Sequence, residues 1–158
     1  MELLNRENVK AAFEQIIAQY GRDYQYQQIR RAGDGPDMGC YYTVPKTDES
    51  APYQPACIVG HVINIVMPET LTVLGELEDH EACSTGAGNL LDGSWFGFAD
   101  EDGHVPEQAF TLVADETDEP LIAAVARAQT IQDDGGTWGE AYDGYLARLA
   151  ELDTKTEV

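Results

Sequence analysis

Hydrophobic positions recur along this chain mostly at helical spacing. Val9, Phe13, Ile16, Ile17 and Tyr20 fall at steps of 4, 3, 1 and 3, one face of a 3.6-residue period. Asn5 precedes them as a cap and Gly21 follows as a stop. The longest apolar run, Pro55 to Met67, lies near the middle. It is too short to span a bilayer, which takes about 20 residues, so it predicts a core helix with Pro55 in its first turn. Gly60 inside it costs a helix about 1 kcal/mol against alanine, or else serves the close approach of another backbone. Pro68 breaks the run, and a second short helix follows with Leu71, Leu74 and Leu77. Leu90 and Leu91 suggest another within Cys83 to Gly93. Near the end, Asp118 caps a helix with Pro120 in its first turn and Leu121, Val125, Ala128 and Ile131 on one stripe. Gly135-Gly136 ends it. Thr137 and Glu140 then form a capping box ahead of Trp138, Tyr142, Tyr145, Leu146 and Leu149.

Other stretches read as extended. Tyr24 and Tyr26 alternate with polar neighbours within Arg22 to Ile29, and Cys40 to Val44 is aromatic and β-branched. Ser94 to Ala99 and Gln108 to Val113 flank Asp102-Gly103, a hairpin signal. The expected class is α+β: a small antiparallel sheet of about three or four strands packed with about five helices. Residues 1–152 form one domain in this reading, and Asp153 to Val158 a flexible tail. A chain of 158 residues that is 43% hydrophobic can bury a substantial core.

Charge changes the picture most. There are 29 Asp and Glu against nine Lys and Arg, a formal −20. Between Thr47 and Ala126 no Lys or Arg occurs, while 16 acids do. Such a surface repels nucleic acid and anionic membrane and attracts cations or a basic protein. High negative charge also serves solubility alone. Three cysteines, Cys40, Cys57 and Cys83, do not make a disulfide framework. Met1-Glu-Leu-Leu-Asn-Arg has neither a basic start nor an apolar stretch. A reducing cytoplasm with free thiols is therefore expected, with no cofactor.

At Pro55-Ala-Cys-Ile-Val-Gly-His-Val-Ile63, and again at Ala128-Gln-x-x-Gln-Asp-x-Gly-x-x-Trp-Gly-x-Ala141, the sequence resembles small proteins of actinobacterial phages and their hosts, a group without an assigned activity. The resemblance implies a phage or actinobacterial origin and no catalytic residue.

Several constellations are candidates for chemistry. Cys57 and His61 share a helix face, and a Cys–His nucleophile pair with Asp92 or Asp134 as the orienting acid would make a small hydrolase or thiol enzyme. Thiolate formation favours electropositive, partly exposed surroundings, whereas Cys57 sits in the most apolar stretch of an anionic chain. Cys57, His61, His80 and Cys83 together supply the ligand types of a structural zinc site, which would make a zinc-stabilised binding module. Cys and His on an apolar helix are more often packed core groups. Asp100 to His104 lacks calcium-loop spacing, and Gly86 to Gly93 lacks the ending of a phosphate loop.

The leading expectation is a non-enzymatic interaction protein, phage-encoded, that modulates a host protein through its acidic surface, in the strongest form by mimicking DNA before a basic nucleic-acid-binding partner. The residues expected to carry it are Glu76, Glu78, Asp79, Glu81, Asp100, Glu101, Asp102, Asp115, Glu116, Asp118 and Glu119.

Overall fold

The computed structural model describes residues 2–27, 41–81, 87–92, 113–115 and 117–156. α1 (Arg6–Tyr20) begins on a reciprocal cap: the Asn5 side chain accepts from the Asn8 N–H, and the Asn8 side chain accepts from the Asn5 N–H. Gly21, at φ 91°, closes it. The central apolar run forms α2 (Ile58–Val66), and α3 (Pro68–Glu81) and α4 (Ala87–Asp92) follow. α5 (Glu119–Asp133) starts on the Asp118 cap, and α6 (Trp138–Thr156) starts on the Thr137–Glu140 box.

The core joins all six helices of the described residues. Ile58, Val59, Val62 and Ile63 of α2 are fully buried, each side chain contributing about 1.5–3 kcal/mol over an exposed one. That burial, rather than propensity, stabilises a helix of nine residues. Phe13 of α1 stacks on Tyr142 of α6 at 5.3 Å and meets Tyr145 at 4.9 Å. One buried amide ties three helices together: Gln132 Oε1 of α5 accepts from Ile58 N–H at the start of α2 and from the Trp138 indole N–H of α6.

The expected sheet is absent among the described residues. Extended pairing there is limited to isolated bridges, Leu4 with Ala114, Gln25 with Thr137, and Thr43 with Pro55. The α+β expectation is therefore corrected to a helical fold in the described part, for two physical reasons. Tyr24 and Tyr26 do pack on the core, but the backbone of this segment serves a helix end: the carbonyls of Tyr24 and Arg22 accept from Trp138 and Gly139, the opening N–H groups of α6. The segment 41–44 turns its donors on a carboxylate. Tyr42 N–H and Thr43 N–H both donate to Glu78 of α3, at 2.9 and 3.0 Å, and the Thr43 hydroxyl adds a bond at 2.7 Å. Successive N–H groups converging on one anion form a nest, whereas in a strand they alternate between edges. Of the strands expected at 94–99 and 108–113, only Val113 is described, where its carbonyl accepts from Leu4 N–H, and the turn at Asp102-Gly103 lies outside the described residues.

Residues 41–56 thus form an irregular arm laid across α2 and α3. Ala56 N–H donates to the Tyr42 carbonyl and Val44 N–H to that of Gln54. Two glycines make room. A Cβ on Gly60 would collide with the Tyr42 carbonyl oxygen, and one on Gly75 with the Tyr53 ring. Because Pro55 bridges Thr43, α2 starts three residues later than Pro55 suggested, with Cys57 as its cap. At the other terminus, the stretch expected as a tail from Asp153 is helical through Thr156, and Asp153 is bound by Arg6.

Candidate functional site

The walls of an open groove of about 330 Å³ come from α1 and α2. Gln15, Ile16, Gln19 and Tyr20 share a face of α1, and His61, Asn64 and Ile65 share a face of α2. Gln54 and Pro55 of the arm complete the lining. No lining residue is charged, in a chain where charged residues make up 24%. Ile16 is buried, while Tyr20 and Ile65 stay 36% and 38% exposed. The exposed lining is thus mainly polar but uncharged, with four primary amides, a tyrosine and His61, and a smaller apolar share from Ile65.

His61 borders the groove within an aromatic cluster. Its ring meets Tyr20 and Trp138 edge-on, each at 5.1 Å, and Tyr24 packs on Trp138 at 4.4 Å. Burial against these rings lowers the imidazole pKa to about 4. At neutral pH the ring is therefore uncharged, with one donor and one acceptor. It makes no hydrogen bond to a carboxylate among the described residues, so the orienting acid of a nucleophile pair is missing there; Asp92 and Asp134 are exposed at the ends of α4 and α5.

Cys57 does not line the groove. Its side chain is fully buried, and its sulfur caps α2 by accepting from Gly60 N–H at 3.3 Å. A sulfur engaged in the core is the inert kind. Of the other candidate zinc ligands, His80 lies on α3 with its side chain outside the described residues, and Cys83 lies outside them entirely. No group of three or more His, Cys, Asp or Glu able to hold a metal occurs among the described residues. The calcium-like stretch Asp100 to His104 lies outside the described residues, and residues 87–92 of the Gly86–Gly93 stretch form α4 rather than a loop.

The acids expected to form an interaction surface separate into three groups. Glu76, Asp115 and Glu119 are exposed. Glu78 is a correction: it is fully buried, where its carboxylate holds the arm. Asp79 accepts from the Tyr53 hydroxyl at 2.9 Å, and Asp118 both caps α5 and receives the Arg6 guanidinium. That guanidinium holds the Asp118 carboxyl below its usual pKa range. Asp100, Glu101, Asp102 and Glu116 lie outside the described residues, as does the side chain of Glu81.

Among the described residues, four cations pair with carboxylates of the chain: Arg6, Arg22, Arg148 and Lys155. Arg6 reaches Asp118 at 2.9 Å and Asp153 at 2.7 Å, joining α1, the start of α5 and the end of α6. Arg22 pairs with Asp143, Arg148 and Lys155 share Glu151, and the Lys46 ammonium stands 4.1 Å over the Tyr53 ring. No helix of the described residues is long and apolar enough to cross a membrane. Comparison with protein-family models, with curated proteins and with solved structures finds no match.

Sequence reasoning passed over the groove. Its signal was nonetheless present: Gln15 and Gln19 are one helical turn apart, and from Ser50 to Pro68 no charged residue occurs.

Proposed function

We propose that this chain is a non-enzymatic protein-interaction module that captures a basic partner protein. The observation that carries the reading is the charge balance: acids outnumber Lys and Arg 29 to 9, Arg6, Arg22, Arg148 and Lys155 are each taken up by a carboxylate of the chain, and Glu7, Glu49, Glu69, Glu76 and Glu119 are exposed without an ion pair among the described residues, against Lys10 and Arg127 as exposed cations without one. The external field is therefore that of uncompensated carboxylates, which steers a cationic protein and repels nucleic acid and anionic lipid. A fully buried Cys57 adds weight against a thiol enzyme. The proposal extends to a phage-encoded factor acting on a host protein in the cytoplasm, which rests on the sequence reading alone.

Mimicry of DNA is the less favoured form of this reading. It calls for a row of free carboxylates, and Glu78, Asp79 and Asp118 are engaged inside the fold. Affinity capture of partners from an actinobacterial lysate, followed by binding measurements on the purified partner, tests the proposal. A basic partner whose affinity falls with salt supports it. Turnover of a substrate that stops on alkylation of Cys57 would overturn it.

A further inference from the structure

The groove between α1 and α2 allows the partner's chemistry to be narrowed, on the footing of the interaction reading above. Gln15 and Gln19 on one wall, Asn64 on the other and Gln54 at the arm make no side-chain hydrogen bond among the described residues. A primary amide offers two donors and an acceptor, the complement of a peptide backbone with its alternating N–H and C=O groups. Beneath them the buried Ile16 forms the floor, and Tyr20, packed on His61 and Trp138, and Ile65 present the exposed apolar surface of the groove. A volume of about 330 Å³ lies at the small end of ligand pockets, which run from about 300 to 1,000 Å³. It suits one apolar side chain of a longer segment, not a whole helix. The formal charge of −20 selects what flanks that side chain: Lys and Arg are drawn in, and acidic segments and nucleic acids are turned away.

We propose that the groove receives a short extended segment of a partner protein, in which an apolar residue flanked by Lys or Arg rests on Ile16, Tyr20 and Ile65 while the four amides bond the segment's backbone. The probe is a random short-peptide display library sorted against the full chain at low salt. Enriched peptides should carry an apolar residue between basic ones. Adding such a peptide to isotopically labelled protein should move the side-chain NH₂ resonances of Gln15, Gln19, Gln54 and Asn64. The double variant Gln19→Lys, Asn64→Lys should bind about tenfold more weakly or worse, the loss of one or two hydrogen bonds. Glu119→Lys makes the same change in net charge away from the groove and should weaken binding far less. Far-UV circular dichroism checks that both variants fold. Equal losses in the two variants, or resonance shifts confined to other helices, would overturn the groove assignment and leave anionic capture standing. Enriched peptides without basic residues would overturn both.

Discussion

Replacing Glu78 by Ala should release the arm from the helices. The wild-type carboxylate is fully buried and accepts from Tyr42 N–H, Thr43 N–H and the Thr43 hydroxyl. Truncation takes that acceptor from all three donors, and a buried donor left without its partner costs about 1–3 kcal/mol. The neighbouring stretch from Thr47 to Ser50 is exposed, so water relieves part of the loss. The net is about 3–5 kcal/mol, the range for breaking a buried charged contact from one side. Against a typical stability of about 5–15 kcal/mol this is a large fraction, and it lowers the melting temperature by roughly 10–15 °C. Glu78→Gln should cost about half as much, because one oxygen still accepts while the NH₂ group faces a donor. Chemical denaturation followed by far-UV circular dichroism measures the loss, and hydrogen exchange locates it. Tyr42 and Thr43 amides should lose protection well before those of α1 and α6. A Glu78→Ala protein within about 0.5 kcal/mol of wild type, the range for a surface site, would refute the reasoning, as would unchanged exchange at Tyr42 and Thr43.

Three other outcomes follow from the same geometry. Gly60→Ala should destabilise by about 1–3 kcal/mol, because overpacking against the Tyr42 carbonyl outweighs the roughly 1 kcal/mol of helix propensity gained; denaturant midpoints decide the sign. Cys57 should react with iodoacetamide only on unfolding, as mapped by mass spectrometry of the labelled peptide. His61 should titrate near 4 by NMR rather than near 6.5. Above the unfolded value both states are neutral and the imidazole adds no pH dependence. Between about 6.5 and 4 only the unfolded chain takes the proton, so stability falls as pH falls, by about 2 kcal/mol once screening at the partly exposed ring is discounted. A His61→Phe variant should lack that share of the acid loss.

The helices were legible because their signals are local. Asn5, Asp118 and the Thr137–Glu140 pair each cap the helix they announce, and Gly21 stops α1. The sheet was misread because alternation in sequence reports which side chains face the core, not what the backbone bonds to. Tyr24 faces the core as a strand residue would, yet its carbonyl completes the start of α6. The start of α2 was misplaced because a bridge between Pro55 and Thr43, distant in sequence, outcompetes a first helical turn. Glu78 was grouped with surface acids although the spacing Leu71, Leu74, Glu78 puts it on the buried stripe of α3. A carboxylate there is intelligible only with the facing arm in view. The groove joins three separated stretches of chain, so its composition was readable and its existence was not.

Central to this account is an uncompensated anionic exterior that draws in a basic protein. The dependence of partner affinity on ionic strength tests it most directly, with the purified host partner and the full chain, as the screening length falls from about 30 Å to about 3 Å. The account predicts a steady loss of affinity of at least about tenfold, carried mainly by a slower association rate. An affinity and an association rate that stay flat across that range would contradict it.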